Sequence, residues 1–390
     1  MTKRPVLTSC IMVNLIITSI TIAQIGQRFP SEKKIVPDPV TGVPLTFLTG
    51  TTAGDSKIYQ THHQWTCDGQ WVIFRSNRVP GQAMAVNEQT GVIVQVTESG
   101  YSGMLCLADH SMNLYFLRNQ RLPRSIDAEA DQPSERRRGR GGRRGPTQII
   151  KVDLEKLFAD SAAGQLKDAD EYEYICGTIP VEMGAGGDMA LDSTEDFAYF
   201  RVSREEAANH LPEDVEPAES FGPRGMGAGP TGLARMDLKT GEVKFIVAVP
   251  FQIGHVQTNP WVPGEIIFCW ETGGKAPQRT WTVKSDGTGL RPLYPEADYE
   301  WVTHEAVITR DEVAIAILCH RRPGTGVNTP DDWGPSGTGE HPTGVGVVNL
   351  RSREMRIDGQ IPIGDPGRSV WHVHGSPDGR WLVADDFQYR

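Results

Sequence analysis

A two-part pattern recurs along this chain of 390 residues and constrains its fold more than any other feature. In the first part, a β-rich run ends in Asp or Asn, turns through a polar Gly-containing segment and enters a second β-rich run. Ala83-Met84-Ala85-Val86-Asn87 passes through Glu88-Gln89-Thr90-Gly91 into Val92-Ile93-Val94-Gln95-Val96, and Leu233-Ala234-Arg235-Met236-Asp237 passes through Leu238-Lys239-Thr240-Gly241 into Val243-Lys244-Phe245-Ile246-Val247. Thr280–Gly289, Val345–Asn349 and Ile149–Asp153 carry further copies. In the second part, an Asp-Gly turn feeds an apolar strand, as in Gln64–Phe74 and Gly375–Ala384. Such turns favour hairpins. Two hairpins per copy make a four-stranded sheet that buries its faces only by stacking on neighbours around an axis. The copies repeat at the spacing of propeller blades. The expected fold class is therefore all-β, a β-propeller; an open sandwich is the competing all-β arrangement.

Five copies are complete or nearly complete between Lys57 and Ile357, and a sixth begins near Trp371. The sequence reaches Gln388-Tyr389-Arg390 where the second hairpin of that copy would start. Thr41–Thr49 reads as a second-hairpin piece, which in a closed propeller completes the C-terminal blade. The expectation is a propeller domain over 41–390 that is cut short in its sixth blade, and such an end exposes strand edges.

Ahead of it, Lys3 and Arg4 precede an apolar stretch from Val6 to Ile22 that ends at Thr21-Ile22-Ala23-Gln24. Residues 1–23 read as a signal peptide rather than a membrane anchor, because polar residues break a stretch already short for a span. The expected location is periplasmic or secreted, with no stable membrane insertion after cleavage. Five cysteines remain, widely spaced and without a CxxC pair, so a cysteine-built zinc site is not expected.

The net charge of −10 excludes a global basic field for nucleic acid. Residues 128–146 are an Arg/Gly-rich low-complexity loop with no interleaved aromatics, read as a solvated loop rather than a polyanion site. Arg204–Pro230 and Arg321–Pro342 are Gly/Pro-rich insertions of the kind that build sites on one propeller face.

Histidines near strand ends are the informative residues: His62, His63, His255, His304, His372 and His374. His372 and His374 stand at i and i+2, which puts both on one face of a strand. They are either two ligands of one ion or hydrogen-bonding residues of the fold. Arg279 and His304 form a second candidate pair. A guanidinium can neutralise a carboxylate through two hydrogen bonds, and a neutral imidazole can take a proton from the adjacent carbon. No GxSxG elbow is present to support a hydrolase.

Gly254-His255, Ile267-Phe268-Cys269-Trp270-Glu271, Arg279-Thr280-Trp281 and Thr303-His304-Glu305 occur in that order. They resemble the LGH, FCHEG, RMW and THEFW motifs of the oligogalacturonate lyases, polysaccharide lyase family 22. The interval of 25 residues from Arg279 to His304 and the stretch Arg235–Glu242 are also similar to that family. The resemblance runs from about Val43 to Asp386 and is strongest from Leu233 to Glu305. It implies a seven-bladed propeller that cleaves pectin-derived oligogalacturonides by β-elimination with a divalent metal, typically Mn2+. It implies His304 as the catalytic base, Arg279 as the partner of the sugar carboxylate, His255 as a substrate-binding residue and His372 as a metal ligand, with His374 the rival for that role. The chain departs from the family in Trp270 and in Ala306-Val307, and no residue matches the family's C-terminal HxH metal ligands. The alternative is a non-catalytic propeller of the TolB type that binds a protein or glycan.

Overall fold

In the computed structural model, the described residues are 24–50, 53–121, 144–220, 224–320, 340–361, 368–376 and 378–388. The expected signal peptide at 1–23 and most of the Arg/Gly-rich loop at 128–146 lie outside them. Among the described residues, no helix is long and apolar enough to cross a membrane.

The all-β propeller is borne out. Blade 1 holds Ser56–Lys57, Trp71–Arg75, Ala83–Asn87 and Ile93–Gln95, with Arg28–Phe29 added at its outer edge. Blade 2 holds Ser102–Leu107, Asn113–Arg121, Arg144–Asp153 and Glu173–Ile179; blade 3 holds Met189–Leu191, Phe197–Val202, Ala228–Asp237 and Val243–Phe251. Blade 4 holds Ile253–Thr258, Glu265–Trp270, Thr280–Lys284 and Arg291–Pro292; blade 5 holds Glu300–Thr309, Glu312–His320, Gly344–Asn349 and Met355–Gln360. The strands of each blade pair antiparallel in chain order. From blade 2 onward, the first strand of each touches the first strand of the next, so these strands line the axis.

Among the described residues there are not the seven blades that the family resemblance implies but five four-stranded blades and two separate hairpins, in line with the five complete copies read from the sequence. One hairpin is Arg368–Gly375 with Leu382–Gln388, the sixth unit; the other is Lys34–Pro37 with Pro44–Phe47. The second does not complete the first. Its strands are joined by a six-residue turn, and pairing across so short a loop costs less chain entropy than pairing across the whole chain. The sheet also starts ahead of residue 41, because Arg28–Phe29 pairs with Ile93-Val94.

The repeat works as its chemistry requires. Asp237 accepts from the backbone N–H groups of Lys239 and Thr240, both at 2.9 Å, and Gly241 takes φ +74° to close the turn. Asn87 and Asn349 do the same at their turns. Side chains then alternate between two interfaces. Leu114 and Phe116 pack toward blade 1, whereas Tyr115 and Leu117 pack toward blade 3. These clusters therefore fill the gaps between consecutive blades, continuing through Ile266 and Phe268 between blades 3 and 4 and Ile315 and Val348 between blades 4 and 5.

One helix escaped the repeat pattern. Leu154–Ala163 is capped by Asp153, which accepts from Lys156, and ends on Gly164 in the left-handed region. Its buried residues Leu154, Leu157, Phe158 and Ser161 follow helical spacing, and Phe158 stacks on Trp71 at 4.0 Å between ring centroids.

Candidate active site

The inner strands bring their first halves to one mouth of the axis. There a cavity of about 690 Å³ is lined by Tyr59 of blade 1, His255, Glu271 and Arg279 of blade 4, Trp301, Thr303 and His304 of blade 5, and Trp371 and His372 of the sixth unit. Arg224 and Met226 enter it from the insertion at 204–230, as expected of such a loop.

His255 is aimed by a local irregularity. The register of its strand shifts between Gly254 and Gln257, and His255 itself has φ +52°, unusual for a residue with a side chain. Gly254 must stay small: a Cβ there would lie 2.8 Å from the Glu271 Cβ. The His255 Nε2 is 3.0 Å from the Tyr59 hydroxyl and 3.3 Å from a Glu271 oxygen, while its Nδ1 faces Glu305 at 3.0 Å and the Arg279 Nη2 at 3.2 Å.

Arg279 is 5% exposed, and its Nε donates to the Thr303 carbonyl at 3.1 Å. Glu305, fully buried, and Glu271 lie 3.5 and 3.6 Å from the guanidinium. Burial opposes the Arg279 charge, but the Glu271 and Glu305 carboxylates around it outweigh that and keep it cationic. Burial likewise opposes ionisation of Glu271, yet Arg279 and His255 hold its carboxyl below the usual range.

His304 follows Thr303, so the residue that anchors Arg279 also sets the imidazole. Its Nδ1 lies 2.7 Å from the Trp371 carbonyl, a pure acceptor, so Nδ1 carries the proton and Nε2 keeps its lone pair. Burial, then the neighbouring His255, Arg279 and His372, push its basicity down and keep it neutral. The rings of His255 and His304 stack with centroids 5.4 Å apart. Burial and Glu305 push the Tyr59 phenol upward, so it stays protonated.

His372 stands 4.3 Å from His304 between centroids, and its Nδ1 is 2.6 Å from Asp385, whose other oxygen accepts from the His372 backbone at 2.6 Å. A carboxylate behind an imidazole is how metal-ligating histidines are oriented. The pairing of His372 with His374 in one site is corrected. His374 bonds through Nδ1 to the backbone of Gly375 and lines a different cavity. The strand's register shifts between Val370 and Val373, so strict alternation across it fails.

His255, Cys269 and Glu271 offer ligand atoms within 4.8 Å of one another. They do not suit a hard divalent cation. The Cys269 thiol is fully enclosed and held protonated by burial, and the Arg279 cation already neutralises Glu271. His372 fits one position of a metal site.

The four expected residues Arg279, His304, His255 and His372 thus share one cavity. Sequence reasoning missed Tyr59, Arg224 and Glu271 in its wall, and Glu305 and Cys269 buried behind it. The two glutamates and the cysteine sit inside the quoted motifs and were within reach; Tyr59 and Arg224 lie in segments without a periodic signal.

The sequence matches no family profile and no curated protein. Similar solved structures are numerous. An oligogalacturonate lyase from Vibrio parahaemolyticus has a TM-score of 0.63 and 19% identity, over 93% of this chain and 79% of that one. An oligogalacturonate lyase in complex with manganese has a TM-score of 0.54 and 16% identity, over 94% of this chain and 99% of that one. A TolB-like protein from Agrobacterium tumefaciens is more distant, with a TM-score of 0.44. At these identities the likeness shows the propeller fold.

Proposed function

We propose that this propeller is a lyase that cleaves uronate-containing oligosaccharides, such as oligogalacturonides, by β-elimination. The observation that supports the reading is the convergence of the Arg279 guanidinium and a neutral His304 with a free Nε2 on one cavity. Arg279 and Arg224 receive the uronate carboxylate and neutralise it, which makes the C5 proton more acidic. The His304 Nε2 takes that proton. The C5–H electron pair forms the C4=C5 double bond, and the C4–O bond breaks. Tyr59, kept protonated, gives its proton to the leaving oxygen and regains one from solvent, while His304 releases to solvent the proton it took. The low basicity of His304 in the free site comes first from burial and then from His255 and Arg279; an anionic carboxylate beside it offsets the Arg279 part and favours the imidazolium.

A divalent metal, manganese in the solved lyase, belongs to this proposal at the level of His372. When bound there it would polarise the uronate as a Lewis acid. Every step above uses side chains of this chain.

The test is the growth of conjugated-uronate absorbance with oligogalacturonides. Arg279→Ala and His304→Ala each reduce kcat/KM by about 10²- to 10⁴-fold, the range for a lost base or oxyanion-type partner. Absence of turnover by the wild-type chain on every uronate oligosaccharide tried overturns the proposal.

A further inference from the structure

One cation of the lyase cavity comes from outside the blades. Arg224 belongs to the insertion at 204–230, enters the cavity beside Met226 and is exposed there. Among the described residues it makes no hydrogen bond and no ion pair. Arg279 is the opposite case: it is 5% exposed, and its guanidinium is already engaged by Thr303, Glu271 and Glu305.

Blade 4 builds a seat for Arg224. Three residues further on, the Gly227 carbonyl accepts from the Trp270 Nε1–H and from the Gln252 backbone N–H, both at 3.0 Å. Trp270 is one of the positions at which the chain departs from the family motifs, and its ring stacks on Phe251 with centroids 4.7 Å apart. The aliphatic stem of Arg224 lies over Gly273, which has φ +67°. A Cβ at Gly273 would come 2.6 Å from the Arg224 Cδ and 3.1 Å from its Cβ and Cγ, so the stem needs a glycine beneath it. The Gly273 N–H donates in turn to Glu271 at 2.9 Å. One turn thus places both the uncommitted cation and a carboxylate of the wall.

Charge shows what that cation does. Glu271 and Glu305 lie 3.6 and 3.5 Å from the Arg279 guanidinium, so carboxylates outnumber the arginine there. The Cys269 thiol and His304 beside them are held neutral. An anionic sugar therefore meets net repulsion from these groups unless Arg224 adds its charge, whereas a neutral sugar has no need of it. We propose that Arg224, seated on Gly273 and held through Trp270, selects a free uronate carboxylate over its methyl ester. This deepens the lyase reading and rests on it for the place of the sugar. Arg224 meets the carboxylate itself; Trp270 and Gly273 act through it and are positioning residues.

The experiment is isothermal titration of the full chain carrying His304→Ala, which removes the proposed base and prevents turnover, with trigalacturonate and with its methyl ester. The acid is expected to bind about tenfold more tightly than the ester. Adding Arg224→Gln is expected to weaken binding of the acid about tenfold, the scale of one lost charge-assisted hydrogen bond, and to leave the ester within about twofold. Arg224 is exposed, so its replacement does not endanger folding. Adding Trp270→Phe keeps the ring on Phe251 and deletes the N–H; it is expected to weaken the acid alone, and equal weakening of both ligands overturns Trp270 as the seat. Acid affinity unchanged by Arg224→Gln, an equal loss for acid and ester, or no binding of either ligand overturns the proposal. Binding needs no turnover, so the two readings fail separately. Selective binding by a parent chain that cleaves nothing overturns the lyase and leaves the selectivity standing; cleavage without selectivity overturns this proposal alone.

Discussion

Glu296 offers a test of how the start of the Arg279 strand is held. It follows the outer strand of blade 4, and its carboxylate accepts from the backbone N–H of Arg279 at 3.0 Å, from that of Thr280 at 2.9 Å and from the Gln278 amide at 3.0 Å. Burial pushes its carboxyl up from the ordinary 4.5 to about 7, against the lowering effect of those hydrogen bonds and of Lys275. Below pH 4.5 the group is protonated in both folded and unfolded chains and contributes no pH dependence. As pH rises from 4.5 toward 7, the unfolded chain loses its proton first, so the folded state loses stability; above about 7 both are ionised and the loss is complete. The gap corresponds to about 3 kcal/mol. Part of the residue's surface still meets water, which reduces the expected effect to about 2 kcal/mol. Glu296→Gln keeps an oxygen that accepts from Arg279 and Thr280 but cannot ionise. Urea unfolding of both proteins at pH 5 and pH 8.5 reads the difference. The wild type is expected to lose about 2 kcal/mol more than the variant between the two pH values, and subtraction cancels the groups common to both. An equal loss in the two proteins refutes the reasoning and means that the Glu296 carboxyl is solvated in the folded state.

Tyr59→Phe removes the proposed proton donor while leaving the ring against His255; kcat on oligogalacturonides is expected to fall about 10²-fold with KM changed less, measured by steady-state kinetics. Gly103→Ala is expected to lower stability by more than about 2 kcal/mol in thermal unfolding, because φ is +72° and the added Cβ would lie 2.0 Å from the Gly187 carbonyl oxygen where blades 2 and 3 meet. Cleavage of the proposed export signal is expected to leave Gln24 as the first residue of the secreted chain; N-terminal sequencing that finds residues 1–23 retained refutes it.

The sequence by itself determined the fold class and the placement of five blades. The reason is local: an Asx turn closed by glycine, as at Asp237–Gly241, and period-2 alternation, as at Leu114–Leu117, are set by residues a few positions apart. The helix at Leu154–Ala163 is equally local in its caps and spacing, but the repeat pattern did not point to it. Four of the five residues singled out from the sequence, Arg279, His304, His255 and His372, line one cavity, and motif spacing rather than any contact visible along the chain pointed to them. The tertiary structure alone decided which residues share a cavity. It divided His372 from His374 by a shifted register, drew Tyr59 and Arg224 to the axis from segments with no periodic signal, and aimed His255 through a left-handed backbone at a bulge. It also left Lys34–Pro37 paired with Pro44–Phe47 instead of with the sixth unit. Such outcomes depend on the closure of blades around an axis, where residues hundreds of positions apart become neighbours, and no pattern confined to a short window carries that information.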